Sequence, residues 1–391
     1  MKIALALEKF SRHAGGVESY AVELARTLVC EGWEVHLYGH YWDGEPASAI
    51  FHQMKSLPSW CPPSARLIDF ALRHKRMVQD QQFDIVLGFG NTVVMNVYQS
   101  HGGVHFISNL RKIGAIRNPF LRLVKLLALF ATPKYHARAW IESAPFRARN
   151  RPVTVAISEM VRNDVASYFK IPRNEIFLVY NGIDQARFGA SPDRKAMELR
   201  RRLGFDNEVL FLFMAYDLKK KGALYLIEAA GKLRDQVGSK SFGVVVVGRP
   251  PYPALKRLAE KLHLSDIVVF SGRTREPETF YHACDVFVLP TFYDACSLVV
   301  FEAMAAGLPA ITTIFNGAAG IITDCSDGIV LTDPKNVDAL AAAMERFLDK
   351  KFLDSASEAA RRTAANYKLE DNHRLMLRIF SDLIARGCSG V

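Results

Sequence analysis

Short, continuous apolar runs alternate with longer stretches of helical periodicity along nearly the whole chain. That alternation constrains the fold more than any other feature. In the first half the runs lie at 2–7, 34–39, 85–90 and 154–158; in the second at 176–181, 210–216, 242–248, 267–272, 286–290 and 310–313. Several are unbroken Val, Ile, Leu or Phe, such as Val244 to Val247, as expected of parallel strands covered on both faces. Strands separated by helices at this spacing predict a doubly wound α/β fold. The turn-rich run Ile171-Pro-Arg-Asn174 breaks the pattern, which then restarts. We therefore expect two Rossmann-like domains, 1–172 and 173–370, facing one another across a cleft. A terminal helix within 371–391, with Leu375, Ile379, Leu383 and Ile384 apolar, is expected to pack back on the first domain. In such sheets ligands bind beyond the carboxyl ends of the strands.

Length agrees, since 391 residues are too many for one ordinary core. The six cysteines, Cys30, Cys61, Cys284, Cys296, Cys325 and Cys388, are far apart and form no CxxC pair. This argues against a zinc ribbon, a thioredoxin motif or a disulfide framework, and for a reducing cytoplasm. The apolar run at the N-terminus is short and ends in charge, so it reads as a first buried strand rather than a signal peptide. No run is long and apolar enough to span a bilayer. His13, His40 and His282 receive no role.

The net charge of +10 is concentrated. Between Val104 and Arg151 stand Arg111, Lys112, Arg117, Arg122, Lys125, Lys134, Arg138, Arg147, Arg149 and Arg151, with Glu142 the only acid. One face of the protein is thus expected to meet an anionic partner. Within this segment, 120–130 reads as a basic amphipathic helix. It is either a core helix with snorkelling cations or an element lying on an anionic membrane. The charge around it favours the membrane, with Arg111, Lys112, Arg117, Arg122 and Lys125 at the surface. No nucleic-acid motif is present.

Four motifs follow strands. Gly15-Gly16 precedes a helix of about 17–30; paired glycines let backbone approach a ligand and the helix start favours phosphate, although βα turns also use glycine for geometry alone. His101 stands at a strand end beside Gly102-Gly103. Lys219-Lys-Lys-Gly222 opens a helix, where a lysine suits a diphosphate; a solvated basic turn is the alternative. The stretch 291–309 places Asp294 and Glu302 on either side of a helix start whose amides favour an anion, with carboxylates able to grip sugar hydroxyls. An acid near a helix start is also stabilising by itself. Cys296 reads as a packing residue.

Taken in order and spacing, Gly15-Gly-Val-Glu18, Ala156-Ile-Ser-Glu159, Val179-Tyr-Asn-Gly-Ile-Asp184, Lys221-Gly222, Val269-Phe-Ser-Gly272, Ala283-Cys-Asp-Val-Phe-Val-Leu-Pro290 and Glu302-Ala-Met-Ala-Ala-Gly-Leu-Pro309 resemble glycosyltransferase family 4, retaining enzymes of the GT-B fold. Within it the chain is most similar to the group that glucosylates the first heptose of lipopolysaccharide core, through Trp42-Asp-Gly44, Tyr216-Asp217, Ser271-Gly-Arg273 and the basic segment.

The resemblance implies roles. Glu302 would bind ribose hydroxyls, and Asp294 would stand near the donor sugar. The amides of Cys296, Ser297, Leu298 and Val299 would hold sugar hydroxyls and phosphate. Lys221 would neutralise the diphosphate leaving group, and backbone around Arg273 and Thr274 would contact the base. Gly15 and Gly16 would approach the diphosphate from the other domain, and His101 would face the sugar. The chain departs from the family in having Asp294 for a glutamate, Ser297 for a glycine, and Ala215 where an arginine usually precedes the lysine, leaving Lys219 or Lys220 to compensate. No DxD triplet occurs. The expected activity is retaining transfer of a hexose, with glucose from UDP-glucose as first choice, to a lipid-linked saccharide, with no metal and no cofactor beyond the nucleotide-sugar co-substrate. The expected place is the cytoplasmic face of the membrane. The alternatives are a sugar-nucleotide epimerase of the same shape and an impaired sugar-nucleotide-binding protein.

Overall fold

The computed structural model describes residues 1–12, 15–148, 150–190, 194–205, 208–238 and 241–387. His13, Arg149 and Cys388, named above, lie outside the described residues. The chain divides into two compact units, Met1–Tyr180 with Glu370–Val391, and Asn181–Leu369.

In chain order the first unit holds β1 (Lys2–Ala6), β2 (Lys9–Phe10), α1 (Gly16–Cys30), β3 (Glu34–Gly39), β4 (Tyr41–Trp42), β5 (Ile50–Gln53), α2 (Pro63–Gln79), β6 (Ile85–Gly88) and β7 (Val97–Ser100). It continues with α3 (His105–Gly114), α4 (Pro119–Ala131), α5 (Pro133–Ser143), β8 (Val153–Ala156), α6 (Glu159–Phe169) and β9 (Ile176–Leu178). Seven strands form one sheet in the order β5-β3-β1-β6-β7-β8-β9, every pairing parallel. β2 and β4 make a small parallel pair. The continuous apolar pattern has its expected cause: Ile3, Ala4, Leu5 and Ala6 of β1 are all fully buried.

The second unit holds α7 (Gln185–Phe188), α8 (Arg194–Leu203), β10 (Val209–Ala215), α9 (Ala223–Val237), β11 (Phe242–Gly248), α10 (Pro253–Lys261), β12 (Val268–Gly272), α11 (Pro277–Ala283) and β13 (Val286–Leu289). Then come α12 (Leu298–Ala306), β14 (Ala310–Thr313), β15 (Gly328–Leu331), α13 (Val337–Arg346) and α14 (Lys350–Ala364). Its six strands run in the order β12-β11-β10-β13-β14-β15, again all parallel. The order reverses between β10 and β13, which is where ligands bind in open sheets of this kind.

The final helix, α15 (Leu369–Ala385), belongs almost entirely to the first unit. Met376, Ile379, Phe380 and Leu383 enter the same core as Leu24 and Leu28 of α1. His373 Nδ1 lies 2.7 Å from the Thr27 hydroxyl, and the Asn372 amide donates to the Tyr180 carbonyl at 2.6 Å.

The expected boundary at 172/173 needs correction. Thr154, Val155 and Ala156 of β8 pair with Ile176, Phe177 and Leu178 of β9, so the run after the Pro172 turn closes the first sheet instead of opening the second. Such a turn connects α6 to its next strand as readily as it separates domains. β2, β4, β5 and β15 lie outside the apolar runs; the first two hold two residues each, and β5 and β15 are edge strands of four residues, too short and too little buried to leave a strong apolar signature.

The helix α4 has no buried residue. Phe120, Leu121, Leu123, Val124, Leu127 and Phe130 are all exposed large hydrophobics, alongside exposed Arg122 and Lys125. The core-helix alternative is therefore wrong. Arg117 is also exposed and Lys112 half-buried. Arg111 is a correction: its guanidinium grips Asp164 of α6 with two hydrogen bonds, 2.6 and 2.8 Å, and so braces α3 on α6 instead of facing outward. No helix among the described residues is long and apolar enough to cross a membrane.

Candidate active site

The second unit's site is assembled by two loops at the carboxyl edge of its sheet. The first follows β10 and ends in Lys221-Gly222. Gly222 caps α9 with φ of +85°, the left-handed region that favours glycine. A side chain there would strike the carbonyl of Pro290, because the two loops touch at this point. Glycine thus lets the lysine loop lie directly on the second loop, which runs from Pro290 to α12.

That second loop is held on every side. Asp294 forms a backbone bridge to Asn316, its N–H donating to the Phe315 carbonyl at 3.0 Å while its carbonyl accepts from Gly317 at 2.8 Å. Asn316 Oδ1 accepts from the amides of Ser297, at 3.3 Å, and Ala318, at 3.1 Å, while Asn316 Nδ2 donates to the Thr312 hydroxyl at 3.0 Å. Asn181 Nδ2 donates to the Cys296 carbonyl at 3.3 Å.

On this frame Lys221 and Asp294 form an ion pair, with side chains 22% and 24% exposed, and the Ser297 hydroxyl donates to the same Asp294 oxygen. The lysine also donates to the Tyr293 carbonyl at 3.3 Å. The ammonium is therefore fixed beside the first turn of α12. No side chain caps that helix, so the amides of Leu298 and Val299 open it toward the site. The Ser297 amide, expected to face the ligand, is instead taken by Asn316. Cys296 is buried and its thiol is pushed well above the usual range by that burial, in keeping with a packing role.

Glu302 lies one turn into α12, half-buried, and accepts from the Tyr281 hydroxyl at 2.7 Å. Burial raises its pKa above the ordinary carboxylate value, and the Tyr281 hydrogen bond opposes that rise. Tyr281 on α11, Asn181 and Asn316 are the functional supports that sequence reading passed over. Asn316 carried a usable signal, since an asparagine just after a parallel strand is a turn-former placed at the ligand edge.

Arg273 and Thr274 follow β12 at the same edge; Thr274 Oγ1 accepts from the Glu276 amide at 2.9 Å, and Arg273 lies over the Tyr216 ring. Ala215 is the last residue of β10. Lys220, offered above as a compensating cation, pairs with Asp217 at 2.5 Å.

In the first unit, Gly15 is extended with φ of −176° and precedes α1, which begins at Gly16; both are exposed. A side chain at Gly15 would meet the Glu18 carboxylate. His101, just beyond β7, sits 4.5 Å from the Tyr20 ring of α1 and 5.5 Å from Phe89. Its Nε2 is sealed without a partner, and burial lowers its pKa to about 3, so the ring is neutral. The first unit thus gathers the paired glycines and His101 around one helix start. Among the described residues, no group of three or more His, Cys, Asp or Glu is placed to hold a metal.

Comparison with known proteins decides the family. The model of glycosyltransferase family 4 matches residues 14–187, and that of the glycosyl transferases group 1 matches residues 196–369. The chain belongs to these glycosyltransferases. The uncharacterized glycosyltransferase MJ1607 of Methanocaldococcus jannaschii is 30% identical over 199 residues, and the chain spans about half its length, 50% of each. Lipopolysaccharide glucosyltransferase WaaG of Escherichia coli K12 is 24% identical over 376 residues, covering 93% of this chain and 94% of WaaG. A crystal structure of WaaG superposes with a TM-score of 0.79 at 22% identity, covering 97% and 99% of the two chains. Anabaena HepE, solved with UDP and glucose, gives a TM-score of 0.68 at 17% identity and covers 98% and 100%. The fold of this glycosyltransferase is GT-B, two Rossmann-like domains on parallel sheets.

Proposed function

We propose that the protein transfers a hexose, with retention of configuration, from a nucleoside-diphosphate sugar to a lipid-linked saccharide of the lipopolysaccharide-core kind. UDP-glucose is the donor we favour. The observation that carries this reading is the Lys221–Asp294–Ser297 cluster at the uncapped start of α12. Breaking the anomeric C–O bond puts negative charge on the departing diphosphate. A preorganised ammonium and helix-start amides aimed at that charge lower the barrier. Asp294 holds the ammonium in place until the diphosphate competes for it, and its carboxylate then accepts from sugar hydroxyls. Glu302 accepts from the ribose hydroxyls, oriented by Tyr281. The backbone at Arg273 and Thr274 takes the base. With no enzymic nucleophile assigned, retention follows from attack on the face the leaving group vacates. Transfer needs no divalent metal on this reading, so turnover persists in excess chelator.

The names of WaaG as a lipopolysaccharide glucosyltransferase and of HepE as a UDP and glucose complex support the choice of donor and acceptor. The exposed apolar row of α4 with Arg122 and Lys125 supports peripheral binding to an anionic membrane, on its cytoplasmic face.

The test is Lys221→Ala assayed for release of UDP from UDP-glucose in the presence of acceptor. Loss of one preorganised donor to developing charge costs about 10²–10³ in turnover. Wild-type turnover in a folded variant would remove the leaving-group assignment. Sedimentation with anionic vesicles should weaken as salt rises; binding that ignores both salt and lipid charge refutes the membrane reading.

A further inference from the structure

Three neighbouring strands of the second unit, β12, β11 and β10, are each followed at once by a residue that converges on one point. These residues are Arg273, Arg249 and Tyr216. Arg249 Nη1 donates to the Tyr216 hydroxyl at 2.9 Å. The guanidinium carbons of Arg249 and Arg273 stand 5.8 and 5.1 Å from the centre of the Tyr216 ring. Yet that ring is 69% exposed, so a large aromatic is held in the open between two cations. Among the described residues, neither arginine has a carboxylate partner. Other arginines of this unit do: Arg187 pairs with Glu278, and Arg200 with Asp285.

Two like charges brought together without an acid form a site for an anion. The Tyr216 phenol responds to them, its pKa lowered chiefly by the Arg249 hydrogen bond. In the loop after β10, Lys220 is committed to Asp217, and Lys221 is held by Asp294. Strands in a sheet are about 5 Å apart, so a guanidinium at the end of β11 reaches a ligand lying over β10. Pro250 and Pro251 follow Arg249 at once and stiffen its loop.

We propose that Arg249 supplies a second cation, besides Lys221, to the donor's diphosphate, with Tyr216 as its positioning residue. The proposal rests on the donor-site reading above. A guanidinium fork binds phosphate oxygens in pairs, which a lysine cannot do.

The experiment is calorimetric titration of the full chain with UDP, ADP and GDP, each against its nucleoside, using the tightest diphosphate as probe. Arg249→Ala should weaken that diphosphate about tenfold or more and leave the nucleoside unchanged, as expected for charge-assisted hydrogen bonds to phosphate. Arg249→Lys should recover part of the loss. Tyr216→Phe keeps the ring but removes the hydroxyl, and should show a smaller loss, again confined to the diphosphate. If Lys221→Ala weakens the diphosphate and Arg249→Ala does not, the role of Arg249 is overturned while the donor site stands. If neither variant matters, or the wild type binds none of the three, the donor reading falls with it. Equal losses of nucleoside and diphosphate in Arg249→Ala would mark a general structural role and also overturn the proposal.

Discussion

Gly222→Ala probes the joint on which the site depends. The residue has φ of +85°, where an L side chain costs about 1–2 kcal/mol. The added methyl would overlap the Pro290 carbonyl oxygen and stand 2.9 Å from its carbonyl carbon, where ordinary contact begins at 3.4 Å. The obstacle is backbone, so it cannot swing aside as a side chain would. Forcing such a gap costs a further 1–3 kcal/mol or so, for a total of roughly 2–5 kcal/mol. The relief available is movement of Pro290, which leads into the loop carrying Asp294. A misplacement of about 1 Å at reacting groups costs on the order of 10²-fold in rate. Urea unfolding should show a lower midpoint at unchanged slope. Turnover measured well below the unfolding temperature should fall about 10²-fold. Gly114→Ala is the control: its added methyl meets nothing within 4 Å at the end of α3, and it should be neutral or slightly stabilising. If Gly222→Ala matches the wild type in both midpoint and turnover, the contact between the two loops does not position the site.

Three further outcomes are expected. Tyr281→Phe removes the hydroxyl that Glu302 accepts, an interaction of about 1.5–3 kcal/mol for a charged acceptor; it should raise the Glu302 pKa further and shift the acid limb of UDP-sugar binding to higher pH, and an unmoved limb would disconnect Tyr281 from Glu302. Glu142, buried on α5 and accepting from the His105 amide, has its pKa raised by burial from 4.5 to about 7. Because the folded value lies above the unfolded one, its favourable contribution is complete below pH 4.5 and is lost as pH rises through 7, at most about 3 kcal/mol. Glu142→Gln should therefore gain on the wild type between pH 5 and pH 8.5 in urea midpoints, and a pH-independent difference would refute this. On α4, Leu123→Glu should leave the unfolding midpoint within about 0.5 kcal/mol, since the side chain is exposed, while weakening vesicle sedimentation; equal sedimentation would clear that face of membrane contact.

Much of the candidate site could be read locally because its parts are local. Lys221-Gly222 and the stretch from Asp294 to Glu302 each span one strand end and one helix start, and a helix start directs its amides whatever surrounds it. What could not be read was pairing at a distance. Arg111 and Lys112 are adjacent and alike in sequence, yet Arg111 is bound to Asp164, 53 positions away. Tyr281 and Glu302 belong to different helices. The position of His101 at a strand end does not reveal that burial beside Tyr20 and Phe89 keeps its ring neutral.

The amino-acid order by itself determined the kind of layers this protein is made of, since short apolar runs alternating regularly with helical stretches are the pattern of parallel strands covered on both faces. It also determined where the candidate site's turns occur, because each lies within a few residues of its strand. Only tertiary structure decided that β9 completes the first sheet and that Arg249 and Arg273 share one tyrosine. Those outcomes depend on which strands lie side by side. Strand order is set by the packing of the whole chain, and no local pattern carries it.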